Sequence, residues 1–401
     1  KALQPAAENY TAIGLPPGVE LTRRALALVK GDSANGSRVL SRYAVAAAVE
    51  GENLTNSMEF LNRAIDMAVR VGDEKALTWG LIRRSWLFHL EDDYEAILES
   101  TEEYSERAKN SNDGHAELSA EAWAGLANIA LGRPSQGSDR VNAAVRMSET
   151  LGLTATLNIQ RASLLKLARL NGRWKQEMDV PSPFGSGAIT FHDVLTTIET
   201  IGRLEEEDLQ AVSASLNQMV QSLDDGQGVG QFYSSLGNLL PLPDANSIPE
   251  VKKIVDLAYR SSKVPRIVLN SAAISVAYEA VADQDVARCS QLFDELKGIS
   301  GQICGSVQTD RILGLLATAT SDYESAENYF DKALKFCRDA DYRPELARSC
   351  SDYSLMLLSR SAPGDLEKAT ELQDEAIAIA TELDMKPLLE RVLAQREILK
   401  A

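Results

Sequence analysis

The chain has 401 residues, 44% hydrophobic and 25% charged, a balance that supports an ordinary well-cored protein and excludes disorder except at the ends. Its 41 basic and 58 acidic residues leave a net charge of −17, a field that repels phosphate backbones and anionic membranes, so direct nucleic-acid or membrane binding is not expected. No apolar run approaches the roughly 20 residues of a membrane-spanning helix, and no signal peptide is visible. The chain opens at Lys1 without a methionine, as a processed product or a piece of a longer polypeptide would.

From the amino end, residues 1–19, with Pro5, Gly14, Pro16, Pro17 and Gly18, read as a linker or irregular lead-in. From 20 to 180 one grammar repeats: a helical stretch, a short polar break, then a second helix with alanines on its inner face. Apolar residues recur at steps of three and four, as in Leu61, Ile65, Ala68 and Val69, which is the helix period. Breaks fall near Gly51-Glu52, Asp92-Asp93, Gly132-Arg133 and Gly172-Arg173, 40 or 41 residues apart. Residues 181–262 read as divergent helical repeats with loop interruptions. One interruption spans Val180–Gly187 and a second spans Asp224–Pro249, and either marks a bend or a boundary between sub-arrays. Room remains there for two further breaks, near Gly202 and Asp244. Regular breaks resume at Asp283, Asp322 and Gly364-Asp365, 39 and 42 residues apart, in a second array over 263–401. A final helix, about Pro387–Lys400, reads as the cap that covers the last apolar face.

One helical hairpin cannot bury both of its apolar stripes, whereas stacked neighbours can. The pattern therefore predicts an all-α solenoid of about nine stacked hairpins with a period of about 40 residues. An aperiodic helical bundle is the competing fold. The best β-like run, Ile267-Val268-Leu269, sits inside a longer helical pattern.

The segment Ile312–Leu334 resembles the tetratricopeptide consensus. Gly314 occupies the small position of the first helix, and Tyr323, Ala326, Phe330 and Ala333 fall at the spacing of the second. Gly125 and Tyr94 play the parts of Gly314 and Tyr323 in earlier repeats. The period exceeds the family's roughly 34 residues and the closing proline is mostly missing, for which longer helices account. The resemblance implies a right-handed superhelix whose first helices line a concave face. A narrower resemblance lies in Asp310–Leu316, Phe336–Arg338, Tyr342–Ala347 and Leu388–Leu393. These runs are similar to the tetratricopeptide region of large bacterial signalling proteins: MalT-like and LuxR-like ATPase regulators and class III adenylate or guanylate cyclases, of Chloroflexi type. That similarity implies a sensor or partner platform following an AAA-like nucleotide-binding module. The chain shows no Walker-type phosphate loop, helix-turn-helix reader or cyclase module of its own.

Residues with catalytic potential do not converge. His89, His115 and His192 are far apart in sequence, and His89 beside Trp86 and Phe88 reads as a packed or surface side chain. Glu205-Glu206-Glu207-Asp208 reads as a solvated helix start, and Gly226-Gln227-Gly228-Val229-Gly230 follows no strand and reads as loop. Cys289, Cys304, Cys337 and Cys350 lack CxxC spacing and read as reduced, mostly buried thiols of a cytoplasmic protein, with no metal or cofactor. Function is therefore sought in surface shape. By helical phase, the candidate concave-groove residues are Arg42, Trp79, Trp86, His89, Lys166, Arg169, Gln308 and Arg311. Core packing is the competing reading for Trp79 and Trp86. The expected function is a non-catalytic module that binds a protein, a peptide or a small ligand in its groove and relays to a signalling or transcription effector. A free-standing scaffold is the alternative, and an enzyme with a site in the divergent centre is the third. The helix-pair reading also makes a prediction: Gly314→Leu should jam the paired helices and cost several kcal/mol in chemical denaturation, and an unchanged midpoint would contradict the role given to Gly314.

Overall fold

The computed structural model describes residues 16–49, 53–173, 249–260 and 264–400, with positions 210 and 213. Eight helices form an amino-terminal arm: α1 (Pro16–Ala27), α2 (Ala34–Val49), α3 (Leu54–Val71), α4 (Glu74–Leu90), α5 (Tyr94–Asn110), α6 (Gly114–Ala130), α7 (Pro134–Thr150) and α8 (Thr154–Leu170). Eight more form a carboxyl-terminal arm: α9 (Pro249–Arg260), α10 (Arg266–Ala282), α11 (Val286–Leu296), α12 (Thr309–Ala319), α13 (Tyr323–Asp339), α14 (Arg343–Arg360), α15 (Asp365–Glu382) and α16 (Lys386–Lys400). Helix begins at Pro16, inside the stretch read as lead-in. The interruptions at Val180–Gly187 and through most of 224–249, the acidic and glycine-rich runs and His192 lie outside the described residues, as does the divergent region apart from α9.

Local chemistry explains the regularity. Helices α4 to α8 are each 17 residues long and are joined by three-residue turns. The middle residue of each turn is left-handed: Gly72, Asp92, Asn112, Gly132, Gly152 and Gly172, twenty apart, have φ between 49° and 79°. The next backbone N–H then bonds back into the finished helix, as from Asp93 to the Phe88 carbonyl at 3.0 Å and from Asp113 to Ala108 at 3.1 Å. The same residue starts the following helix. Carboxylates of Asp73, Asp93 and Asp113 accept from the N–H groups of Ala76, Ala96 and Ala116 at 2.8, 3.0 and 3.2 Å. These turns stop helices without proline. Ser321, Asp341 and Ser361 continue the twenty-residue spacing in the other arm.

Each helix packs on the next, and the first helices of successive hairpins also touch, giving inner rows α2–α4–α6–α8 and α10–α12–α14. Small residues recur seven positions before the turn residue: Ser85, Gly125, Gly314 and Ser354. A Cβ on Gly125 would lie 2.6 Å from Val141 Cγ2, and one on Gly314 would lie 2.9 Å from Phe330, so both glycines admit the partner helix as expected. The described residues thus form the all-α solenoid that the repeat predicts, and α16 packs on α15 at its end.

The helical tiling of the carboxyl-terminal arm gives way to strand between α11 and α12. Helices α11 and α12 have only 11 residues each. Between them lie a 3-10 turn, Lys297–Ile299, and an antiparallel hairpin of β1 (Ile303–Cys304) and β2 (Val307–Gln308), in which Ile303 pairs with Gln308 and Cys304 with Val307.

The two arms meet along their inner rows, α4 against α10 and α8 against α14. The turns that end first helices face this contact. A Cβ on Gly132 would lie 2.7 Å from the Phe336 ring, and one on Gly172 would lie 2.6 Å from Leu383 Cδ1. Gly72 and Gly152, in the alternate turns, have nothing within 4 Å. The structure predicts that Gly132→Asn weakens the chain by about 1–3 kcal/mol through this clash. Gly152→Asn should change stability by less than about 1 kcal/mol, because asparagine tolerates positive φ. Equal unfolding midpoints for the two variants would argue against the arm contact.

Candidate functional site at the seam between the arms

Asp92, the left-handed residue between α4 and α5, links the two arms. Its Oδ2 accepts from Asn270 Nδ2 of α10 at 3.0 Å, and its backbone carbonyl accepts from Gln302 Nε2 at 3.1 Å. The residue is 2% exposed. Oδ1 finds no donor in good alignment among the described residues, although the Tyr94 hydroxyl lies beside the carboxyl. Burial pushes the Asp92 carboxyl up to about 6, against Asn270, Tyr94, Lys166 and Arg266, which pull it down. Lys166, on α8, is depressed by burial, with Cys304 and Asp92 partly compensating.

Around this acid stands an aromatic wall. Trp86 and Trp123 meet edge to face at 5.5 Å, and His89 lies 5.5 Å from Trp123 and 6.2 Å from Tyr94. Burial and the Lys166 charge lower His89 to about 4, so its imidazole is neutral at neutral pH. Beside the wall the contact becomes apolar. Ile129, Val141, Leu167 and Leu170 from one arm form a single buried cluster with Ile303, Ala340 and Tyr342 from the other. The Tyr342 hydroxyl donates to the Ile129 carbonyl at 2.6 Å, and Asn171 Nδ2 donates to the Asp341 carbonyl at 2.9 Å.

A second polar centre lies within the carboxyl-terminal arm. Arg311, 1% exposed, donates to Glu345 Oε2 at 3.1 Å, Asp352 Oδ2 at 2.7 Å and the Tyr278 hydroxyl at 2.6 Å. Burial opposes its charge, but Glu345, Tyr278 and Asp352 outweigh that and hold the guanidinium firmly protonated. Gln308 Oε1 caps α12 by accepting from the Arg311 N–H at 3.0 Å, and the Gln308 N–H donates to Glu345 Oε2 at 2.9 Å. Every one of these contacts is internal, so the network fixes α10, α12 and α14 to one another.

The eight predicted groove residues therefore separate into several settings. Trp86 and His89 pack together beside the seam, with Lys166 close enough to act on His89 and Asp92, and Trp86 also packs on the apolar cluster of its own arm, in line with the core-packing reading. Gln308 and Arg311 come together in the buried network, with Gln308 in a strand where the helical phase placed it on a helix. Trp79 donates to Asp113 Oδ2 at 3.3 Å and carries the Arg83 guanidinium 5.5 Å above its ring, tying α4 to the turn that starts α6. Arg42 on α2 donates to the Arg38 carbonyl at 3.4 Å, and Arg169 sits on α8, half-buried. Sequence reasoning missed Asn270, Gln302, Glu345 and Asp352, and treated Asp92 only as a break. Signals existed: Asn270 interrupts an apolar run, and Gly301 and Gly305 bracket the β-branched pattern of the hairpin. Among the described residues the four cysteines are free and buried, and no group of three or more potential ligands is placed to hold a metal ion. No family model matches the chain, and no curated protein matches it.

The seam gives opposed pH effects. Asp92 binds its proton up to about pH 6 in the folded chain but only to about 3.8 unfolded, so its stabilisation is full below 3.8 and lost as pH rises through 6. His89, lowered from 6.5 to about 4, stabilises above 6.5, and that contribution is lost as pH falls to 4. The two oppose each other in the intact chain. Asp92→Asn should therefore lose stability more steeply than the parent between pH 6.5 and 4, and His89→Gln less steeply, each by up to about 3 kcal/mol. Parallel stability-pH curves for all three proteins would refute this assignment.

Proposed function

We propose that this chain is a non-catalytic interaction and sensing module, in which a protein, peptide or small ligand bound on the inner face changes how the two arms meet. The observation carrying this reading is the polar seam. Trp86 Nε1 and His89 Nδ1, three residues apart on α4, are buried without hydrogen-bond partners among the described residues, and the Asp92 carboxyl three positions further on is buried against the cost of its charge. A contact selected for stability alone would pair such groups or replace them by apolar ones, because each buried orphan costs roughly 1–3 kcal/mol. Here they stand beside the contact between the arms. The closed form is therefore held against a local cost, and a ligand has a preference to act upon.

Solenoids suit relay because small rotations between repeats add along the array. The ligand must favour one arrangement of the arms over the other, with a coupling of roughly 1–3 kcal/mol. The resemblance to regions of bacterial signalling and transcription regulators supports an effector as recipient. The acidic surface argues against nucleic acid as direct ligand, and four buried free thiols fit a reducing compartment such as the cytoplasm.

The test is to isolate binding partners with the full chain as bait and measure small-angle scattering of the chain alone and in each complex. A partner whose binding changes the radius of gyration, and is weakened by Lys166→Glu at the seam, is the expected result. Partners that bind with unchanged scattering and are indifferent to Lys166→Glu would favour a passive scaffold.

A further inference from the structure

The hairpin at 303–308 interrupts the twenty-residue tiling of the carboxyl-terminal arm with strand in place of helix, and it lies at the seam. Its base is fastened to its own arm. Asp310 accepts from the Ser300 hydroxyl at 2.5 Å and the Gly301 N–H at 3.0 Å, while Thr309 donates from both N–H and Oγ1 to the Gln302 carbonyl at 3.1 and 3.0 Å. Strand β1 is shared between arms by its alternation. Cys304 belongs to the apolar core of the carboxyl-terminal arm, whereas Ile303, 1% exposed, belongs to the cluster containing Ile129, Leu167 and Leu170 of the other arm. The Gln302 side chain completes the crossing by donating to the Asp92 carbonyl. Strands of two residues have no independent stability, so packing on its own arm and docking on the other together hold this hairpin in shape.

We infer that the hairpin is a built-in occupant of the seam. The inner face of the amino-terminal arm accepts a short extended segment in which an amide side chain precedes a branched aliphatic residue, and Gln302–Ile303 fills that place within the chain. A partner presenting the same pair, with the amide directed to the Asp92 carbonyl and the aliphatic group between α6 and α8, displaces the hairpin and releases the arms. The inference rests on the relay reading above and adds to it the chemistry of the partner and the element that partner must dislodge. The carbonyl of Asp92 is a fixed acceptor because the left-handed turn holds it, and the apolar cluster beside it selects an aliphatic group of limited length.

The experiment uses a backbone-cyclised peptide carrying residues 300–308, with serine in place of its cysteine and a fluorescent label. Binding is measured to the full chain and to its Gln302→Ala/Ile303→Ala variant. The variant should bind about tenfold more tightly or better, because the intact chain offers the site only in the fraction of molecules with the hairpin undocked. A peptide with aspartate in place of the isoleucine should not bind. In the intact chain, saturating peptide should lengthen the distance between spin labels at the exposed positions Asp139 of α7 and Glu371 of α15. Equal affinity for chain and variant overturns the inference. If the variant fails to fold, the label distance decides, and an unchanged distance overturns it. Such a failure leaves the relay reading standing, since that reading is judged by the response of the arms to their own effector.

Discussion

A left-handed residue in the middle of each three-residue turn sets the geometry of this chain. It ends a helix after 17 residues, turns the backbone, and leaves the next residue placed to cap the following helix. Repeating that step every twenty residues fixes the length, the pairing and the sidedness of the hairpins together. Glycine meets the backbone requirement at no cost, and Asn112 and Asp92 meet it because short polar side chains tolerate positive φ. The forty-residue period follows from the 17-residue length of the paired helices, and the dispensability of proline follows from this turn.

Sidedness carries the consequence for function. Turns that close first helices recur every forty residues, and three of them, at Asp92, Gly132 and Gly172, face the opposite arm. Two glycines there admit Phe336 and Leu383 against bare backbone. At the third, a carboxyl group stands where the neighbouring repeats have no charge. Hydrophobic burial supplies the attraction between the arms through Ile303, Leu167, Leu170 and Tyr342, while Asp92, His89 and Lys166 are desolvated in the same contact. The apolar contact therefore joins the arms against the cost of desolvating these groups. The Arg311 network contrasts with it: its charges are matched with Glu345 and Asp352, and it lies wholly inside one arm.

Much of the fold was legible in the residues. The spacing of Gly132 and Gly172, the apolar steps around Leu61 and Ile312, and the small residues at Gly125 and Gly314 are consequences of local packing between adjacent helices, and adjacency in sequence carries them. The inner face was legible in part. Helical phase sets Trp86, His89 and Lys166 on one face together with five residues that the structure distributes over other settings. Gln308 was misplaced because the phase was extended across the hairpin, where Gly301 and Gly305 reset it. Asn270 and Gln302 were passed over because a polar residue in an apolar run has meaning only when its partner, 178 or 210 positions away, is known.

The helices, their turns, their caps and their side-by-side stacking can be read along the chain, since each depends on interactions within about forty residues. That the inner faces of the arms meet, that a hairpin lies between them and that Asp92 becomes a buried acid there emerges only in the folded chain. The physical reason is accumulation. Each repeat adds a small rotation, and whether two distant repeats touch depends on the sum of those rotations, which no single turn or helix encodes.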